Sequence, residues 1–430
     1  MKTESGNCTI FSICKPFMTS ISTRSFSVNG KHYQPAAKPI VVICMDGSAD
    51  EYYNASLARD RMPNLKKMIL RGFRGSVRGA LPSFTNVNNA SIVTGVSPAI
   101  HGICGNFFYD EIKAAEVMMN SAEYLRAETI LAAAANSGRK VGVVTAKEKL
   151  RDILSHKLNG IAFSAEKAGS AKKETHGVDN VELLVGEMAP AIYSADASLF
   201  VLRAGVSLIK NGMADFLYLS LTDYIQHTYA PETKASLDFY EAIDNELGRF
   251  LELGAIIGAT PDHGMNAKIN EAGKPNVLYV EDLLEESFGK GFRVICPITD
   301  PYVKHHGALG SYVVVHITDK DLIPEVKDWL AAEPGITEVH DREAAVALLE
   351  QPGDRTGDLV GLSAKDVVLG RRPQYHDLSA LDGTLRSHGG RYEEMVSMII
   401  SHPLNDQYKM KAAGDPRNFH IFDFTINGTN

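Results

Sequence analysis

Paired cysteines are absent from this sequence of 430 residues. The five cysteines are odd in number and scattered, and no two of them form a C-x-x-C pair. The sequence therefore predicts neither a disulfide framework nor a thiolate zinc site. This cysteine usage favours a reducing compartment, and we expect a cytoplasmic protein.

Long apolar runs and an excess of basic charge are also missing. No run approaches the roughly 20 apolar residues that span a bilayer. The 44 basic and 52 acidic residues give a net charge of -8. We expect no membrane and no nucleic acid as partner. A small molecule is the expected partner, and if it is an anion it must be attracted by local cations, a bound metal or helix N-termini. A homodimer is compatible with the sequence.

Short buried strands alternate with helices along most of the chain. The helical patterns cover residues 122–136 and 234–252 and close at Gly138 and Gly254. The strand patterns cover residues 40–45, 141–145, 216–221 and 255–259. This alternation predicts an α/β fold in which helices cover both faces of a mostly parallel sheet.

The middle of the chain has a different pattern, which predicts a smaller inserted α+β cap domain over residues 270–370. Its predicted elements are a strand at 311–317, a helix at 321–331, a strand at 335–339 and a helix at 342–350. The stretches 357–361 and 395–400 are interpreted as a return to the core strands. The core then comprises residues 26–269 and 371–430, and residues 1–25 form a flexible N-terminal tail.

Acidic residues and histidines follow three of the predicted core strands. In a parallel sheet, ligands bind beyond the carboxyl ends of the strands, so these side chains are expected to converge. Each aspartate taken alone is compatible with a helix cap or a turn. Together they predict a metal site formed by Asp46, Asp223, His227, Asp262 and His263.

A sixth ligand is predicted at His388, within the sequence RSHGG. The two following glycines leave the backbone free to approach a metal closely. Six ligands divide into two sets of three, which is the number of protein ligands in catalytic zinc sites. We expect two Zn²⁺ ions per chain, although Mn²⁺ or Fe²⁺ would accept the same ligand types.

The sequence PSFTNVNNASIVTG, residues 82–95, predicts a polar turn followed by a helix that ends at Gly95. Thr85 or Ser83 begins that helix, and either hydroxyl could serve as a plain N-cap. Beside a metal ion, the same hydroxyl could ionise and act as a nucleophile.

Five separated motifs resemble the alkaline phosphatase superfamily, and within it they are most similar to the phosphonoacetate hydrolases. The motifs are CMDG (44–47), residues 81–110 around Thr85, LTDYIQH (221–227), PDHGM (261–265) and RSHGG (386–390). The resemblance implies an alkaline phosphatase-like core and a metal-dependent hydrolase that cleaves the carbon–phosphorus bond of phosphonoacetate through a phosphothreonine.

The resemblance also implies a role for each site residue. Thr85 would be the nucleophile, and Asn106 would hydrogen-bond the phosphoryl oxygens. Lys147 and Lys149 would bind the substrate carboxylate, although without the family they would be interpreted as surface charges. One zinc ion would be held by Asp223, His227 and His388, and the other by Asp46, Asp262 and His263 together with Thr85.

Two other functions remain open at this point. A nucleotide pyrophosphatase/phosphodiesterase on the same two-metal core would stack a base against Phe107, Phe108 and Tyr109, which are otherwise core residues. A phosphate- or metal-binding protein without activity would keep the fold, with Thr85 as a helix cap. Four further histidines are alternative candidates for a functional role: His101, His305, His306 and His376.

Overall fold

The structure is a computed structural model that describes residues 21–300, 307–379, 381 and 384–430. Its central sheet has seven strands, and Met395–Ile400 runs in the direction opposite to the other six. The predicted mostly parallel α/β fold is confirmed. The strand order is Phe73–Arg78, Met395–Ile400, Ile256–Thr260, Ile40–Cys44, Phe216–Ser220, Val141–Thr145 and Ile161–Ser164.

Helices cover both faces of this core sheet because successive strand residues face opposite sides. In the fully buried strand Ile40–Cys44, Val41 and Ile43 belong to one hydrophobic layer, and Ile40 and Val42 to the other. The first layer is closed by helices Pro63–Arg71, Ala195–Lys210 and Lys234–Glu252. The second layer is closed by helices Thr85–Thr94, Ile130–Asn136, Glu148–Leu154, Asp406–Ala412 and Ile421–Ile426.

The helix predicted over residues 234–252 is confirmed at both ends, but the helix predicted over 122–136 is wrong. Only Ile130–Asn136 is α-helical there, preceded by a single turn at Ala122–Tyr124. Thr129 Oγ1 accepts the Ala132 N–H at 3.0 Å and so caps the shorter helix. The Arg126 N–H is taken by the carbonyl of His101 at 3.0 Å, which prevents a continuous helix. The other α-helices described outside the predicted cap are Asp50–Leu57, Pro98–His101, Lys173–His176, Val181–Val185 and Tyr224–Thr228.

A second, antiparallel sheet lies entirely within the predicted cap residues. Helices Val280–Phe288, Ile323–Ala332 and Arg342–Leu348 pack on it. Its strands, in order, are Phe292–Ile295, Tyr312–Ile317, Leu359–Ser363 and Ile336–Asp341. The domain limits at 270 and 370 stay a prediction.

One strand assignment in this region is wrong, and another is confirmed. The strand Leu359–Ser363 belongs to the second sheet and does not return to the core. All five of its residues are buried, and a central strand of either sheet has this continuous apolar pattern. Met395–Ile400 does join the core sheet as predicted.

Four short ladders complete the β-structure of the described part of the chain. They are Phe26–Val28 with Lys31–Tyr33, Phe107–Asp110 with Ala115–Met118, Asn266–Ala267 with Arg386–Ser387, and Val277–Tyr279 with Val368–Gly370. None of the helices described has the combined length and apolar character that crossing a bilayer requires. Most of the predicted tail, residues 1–20, lies outside the described residues.

Candidate metal centre

The three predicted aspartates leave the core sheet at the same edge. Asp46, Asp223 and Asp262 each follow the carboxyl end of a strand by two or three residues, and all three are buried. Their strands are parallel neighbours in the sheet: Ile40–Cys44, Phe216–Ser220 and Ile256–Thr260. Parallel pairing in register therefore brings these carboxylates together.

One group of candidate ligands gathers around Asp223. His227 Nε2 lies 2.9 Å from Asp223 Oδ2, and His388 Nε2 lies 3.8 Å from the same oxygen. His227 follows Asp223 by one turn of the helix Tyr224–Thr228, so both side chains share one face. The candidate ligand atoms of the three residues lie within 4.8 Å of one another.

A second group surrounds His263. Its Nε2 lies 3.3 Å from Asp46 Oδ1, 3.7 Å from Asp262 Oδ2 and 3.4 Å from Thr85 Oγ1. Candidate ligand atoms of Asp46, Asp223 and His263 also lie within 4.8 Å of one another. Asp223 is therefore within reach of both groups, which form one continuous cluster.

All three histidines hold the Nδ1 nitrogen against a backbone carbonyl at 2.8 Å. The carbonyls belong to Arg386 for His227, Gly264 for His263 and Ser83 for His388. A carbonyl can only accept, so Nδ1 carries a proton and Nε2 is the nitrogen that faces the carboxylates. Metal-binding histidines typically have this arrangement, which fixes the ring and its tautomer.

The buried side chains of the cluster shift one another's pKa values. Burial, together with the charges of Asp223 and Asp262, raises the pKa of Asp46 to about 8. Burial opposes a charge on His263, but Asp262 and Asp46 outweigh it and raise its pKa to about 10. His388 has its pKa held well below the ordinary range by burial and by the charges of His263 and His227.

These residues fit divalent cations. Asp46 Oδ1 is buried and accepts no hydrogen bond from the described residues, although His263 Nε2 lies 3.3 Å away, so its acceptor capacity is available to a cation. Carboxylate oxygen and imidazole nitrogen suit Zn²⁺, and also Mn²⁺ or Fe²⁺. Two dications would balance three carboxylates and one ionised hydroxyl, which removes the cost of burying like charges.

Thr85 stands at the first position of the helix Thr85–Thr94, which ends at Gly95 as predicted. The cap residue is Phe84, and no side chain accepts a capping hydrogen bond there, so the N-cap interpretation is wrong for both hydroxyls. Ser83 Oγ donates to the Gly390 carbonyl at 2.8 Å. The Thr85 hydroxyl is therefore the one of the two that faces the His263 group.

Asn89 was missed by the sequence reasoning, although it links the helix that begins at Thr85 to the candidate metal centre. Its Nδ2 donates to Thr85 O at 3.0 Å and to Asp262 Oδ2 at 3.3 Å. Its Oδ1 accepts the hydroxyls of Tyr218 at 2.7 Å and Ser220 at 2.9 Å. Asparagine is unfavourable inside a helix, so its occurrence at a buried helix position was the sequence signal that could have indicated a functional role.

Lys147 and Lys149 follow the core strand Val141–Thr145 and start the helix Glu148–Leu154. Lys147 Nζ lies 3.5 Å from Asp223 Oδ1, and although burial opposes its charge, Asp223 and Asp46 raise its pKa. Lys149 pairs with the carboxylate of Asp300. Burial and the charge of Lys147 lower the pKa of Lys149 to about 7.

The described hydrogen bonds of Asn106 all join it to backbone groups. Its Nδ2 donates to the Ile298 carbonyl at 3.3 Å, while its buried Oδ1 has no hydrogen-bond partner among the described residues. Its backbone carbonyl accepts from Met119, whose own carbonyl accepts Asn86 Nδ2 at 3.0 Å. Asn106 is therefore connected through Met119 to Asn86, the residue that follows Thr85.

Two of the alternative histidines have structural partners. His101 Nε2 lies 2.8 Å from Ser91 Oγ, and its Nδ1 accepts the Ile103 N–H at 3.1 Å. His376 Nδ1 lies 2.8 Å from the Gly307 carbonyl, and its Nε2 accepts the Arg371 N–H at 2.8 Å. His305 and His306 lie outside the described residues.

The three aromatic residues of the suggested base slot pack against the chain. The rings of Phe108 and Tyr124 meet edge to face, with centroids 5.6 Å apart. The Arg293 guanidinium lies 4.2 Å from the centroid of Tyr109. Phe107 is half-buried against the second sheet. These contacts agree with the interpretation of the three rings as packing residues.

A family profile described as type I phosphodiesterase / nucleotide pyrophosphatase matches residues 40–391. The chain belongs to this family, which is part of the alkaline phosphatase superfamily, and it is a hydrolase. The family resemblance predicted from the motifs is thus confirmed, and metal dependence is consistent with the family.

Two crystal structures of phosphonoacetate hydrolase from Sinorhizobium meliloti 1021 are similar to this chain, one in complex with phosphonoacetate and one with phosphonoformate. Each is 42% identical, covers 96% of this chain and 100% of its own, and has a TM-score of 0.90. Murine ectonucleotide pyrophosphatase / phosphodiesterase 5, in an inactive form in complex with AMP, is 15% identical with a TM-score of 0.62. That match covers 91% of this chain and 96% of the murine chain and concerns the fold alone.

Proposed function

We propose that this chain hydrolyses the carbon–phosphorus bond of phosphonoacetate to acetate and phosphate. The observation that carries the proposal is the 42% identity, over 96% of this chain, to a phosphonoacetate hydrolase solved in complex with phosphonoacetate. The position of Lys147, 3.5 Å from a candidate metal ligand, supports it. A substrate with a phosphonate at one end and a carboxylate at the other needs a metal centre and a cation side by side.

The proposal includes two zinc ions. Asp223, His227 and His388 would hold one, and Asp46, Asp262 and His263, with Thr85, the other. Bound zinc would supply Lewis acidity toward the phosphoryl oxygens and would lower the pKa of a coordinated hydroxyl. The Nδ1 contacts to backbone carbonyls would keep each imidazole oriented with Nε2 toward its ion.

In the proposed reaction, Thr85 Oγ1 loses its proton to solvent and attacks phosphorus in line with the carbon–phosphorus bond. The electron pair of that bond moves to the methylene carbon, which takes a proton from water and leaves as acetate. Water then attacks phosphorus of the phosphothreonine, which releases phosphate and restores the hydroxyl. The Asn106 amide would hydrogen-bond the phosphoryl oxygens after turning from Ile298.

The leaving carbanion is the main chemical difficulty. Its charge can spread onto the adjacent carboxylate as an enolate, so cations at the carboxylate oxygens would stabilise the transition state more than the ground state. Lys147 and Lys149 are proposed for this role because they lie together at the carboxyl end of the strand beside Asp223.

We also propose that residues 270–370 act as a cap over the centre. Two contacts made by these residues support this role: Asp300 pairs with Lys149, and the Ser311 N–H donates to the His388 carbonyl at 2.9 Å. A cap held so near the ligands would exclude water and bulky esters. The setting we propose is a reducing cytoplasm, which suits the unpaired thiols of Cys44, Cys104 and Cys296.

Phosphate release from a panel of substrates by the zinc-loaded protein tests the proposal. Phosphonoacetate should be the preferred substrate over an aryl phosphate monoester and a nitrophenyl nucleotide diester. Preferred hydrolysis of the nucleotide diester would instead establish the phosphodiesterase activity for which the family is named. Absence of turnover on every phosphorus compound would favour a binding protein.

A further inference from the structure

A lysine and a glutamate form a fully buried ion pair beside the metal centre. Lys268 and Glu393 are both 0% exposed. Lys268 Nζ donates to Glu393 Oε1 at 2.9 Å, to Ser311 Oγ at 2.6 Å and to the Lys365 carbonyl at 2.8 Å. Lysine and glutamate are almost never fully buried unless they are paired, and desolvating even a pair is costly, so its presence calls for a role.

Glu393 contacts the backbone on both sides of the centre. Its carbonyl accepts the N–H of Gly264, the residue after His263, at 2.7 Å. Its Oε2 accepts the N–H of Gly390, two residues after His388, at 3.1 Å. The backbone of Glu393 therefore contacts the segment that follows His263, and its side chain contacts the segment that follows His388.

Lys268 reaches His388 by a separate route. Ser311, whose hydroxyl accepts from Lys268, donates its own N–H to the His388 carbonyl at 2.9 Å. The Lys268 N–H donates to the Leu385 carbonyl at 2.8 Å, extending the ladder Asn266–Ala267 with Arg386–Ser387. Lys268 thus connects the segment that follows His263 with the segment around His388, and through Ser311 with the second sheet.

We infer that Lys268 and Glu393 are positioning residues that set the distance between His263 and His388, and so between the two metal ions. The inference rests on the proposed metal centre. The side-chain contacts that carry it are the ion pair itself, the bond of Glu393 Oε2 to the Gly390 N–H, and the route from Lys268 through Ser311 to the His388 carbonyl. Partners outside the ligand set commonly control metal affinity in this way.

The test measures zinc affinity and thermal stability of the full-length, metal-stripped protein. Competition with a chromophoric chelator should show that Lys268→Met and Glu393→Gln bind at least one of the two zinc ions about tenfold or more weakly than wild type. The matched control is Arg139→Met, which breaks a largely buried ion pair elsewhere in the fold, in which Arg139 Nε lies 2.5 Å from Asp215 Oδ1. Both residues precede core strands, at the opposite edge of the sheet. This control should lower the melting temperature and leave zinc affinity unchanged.

A double variant separates positioning from stability. Replacing both members of a buried ion pair by apolar residues often restores stability, so Lys268→Met with Glu393→Leu should melt near wild type and still bind zinc weakly. Wild-type affinity for both zinc ions in the single and double variants would overturn the inference. Failure of the wild-type protein itself to bind zinc would instead overturn the metal centre on which the inference rests.

Discussion

The imidazole rings of His263 and His388 stack with their centroids 3.5 Å apart and their planes 6° from parallel. Each ring belongs to a different candidate ligand group, so the two groups touch through their histidines. Stacked imidazoles cannot both be charged at low cost, and the charge of His263 helps to hold the pKa of His388 well below the ordinary range. Because neutral imidazole is the form that binds metals, we expect metal binding to change the charge of this stack.

Removal of the metal should abolish activity and lower stability. Chelation leaves Asp46, Asp223 and Asp262 buried without their cations, so the metal-free protein should melt at a lower temperature than the zinc-loaded protein. Zinc at 100 times its dissociation constant should add about 2.7 kcal/mol per occupied site to the free energy of unfolding. Phosphate release and thermal melting during zinc titration measure both effects. Activity that survives exhaustive chelation would contradict the two-metal centre.

Replacement of the proposed nucleophile should remove turnover but not the metal. Thr85→Ala should reduce phosphate release by orders of magnitude, with zinc content near that of wild type, and Thr85→Ser should keep part of the rate. Substrate labelled at phosphorus should trap a phosphoprotein in wild type and not in Thr85→Ala. Ser83→Ala is the control, because that hydroxyl donates to Gly390. A wild-type rate in Thr85→Ala would remove this residue from the mechanism.

The ligand clusters follow from the sequence because parallel strands place their carboxyl ends at one edge. Asp46, Asp223 and Asp262 each come directly after a recognisable strand, so their convergence could be predicted. Asn89 stands out as an asparagine inside a buried helix, but neither its partners nor those of Lys268 could be predicted, because a single polar residue does not reveal which distant groups it contacts. The strand Leu359–Ser363 was assigned to the wrong sheet for a similar reason, since burial patterns do not specify which strand pairs with which.

Asn89 should affect the reaction without touching a substrate. Asn89→Ala removes the hydrogen bonds to Thr85 O and Asp262 Oδ2, so we expect about a 10- to 100-fold loss in kcat or zinc affinity. Thr94→Ala, on the same helix, is the control because its hydroxyl donates to the helix backbone at Ala90. Equal losses in the two variants would show that Asn89 only stabilises the helix.

The two lysines should discriminate between substrates. Lys147→Ala and Lys149→Ala should raise KM or lower kcat for phosphonoacetate far more than for an aryl phosphate, which lacks the carboxylate. The matched control is Lys167→Ala, an exposed lysine that follows the neighbouring strand Ile161–Ser164. Steady-state kinetics on both substrates give the comparison. Similar losses on both would indicate that the lysines serve the metal centre through Asp223 and do not recognise the carboxylate.

His101 should make the stability of the fold depend on pH. Burial, with a smaller contribution from Arg355, lowers its pKa to about 3, whereas an exposed histidine has a pKa of about 6.5. Its contribution to stability is therefore complete above pH 6.5 and is lost as the pH falls toward 3. Between pH 7 and pH 4, wild type should lose roughly 3 kcal/mol through this group.

The measurement compares metal-stripped wild type with His101→Gln by urea unfolding at several pH values, so that metal release does not contribute. A charged imidazole would have to donate from Nδ1, where the Ile103 N–H already donates at 3.1 Å. Glutamine cannot be protonated, so the stability of the variant should fall less steeply with acid than that of wild type. If the free energies of unfolding of the two proteins fall equally with acid, His101 does not contribute to the pH dependence of stability.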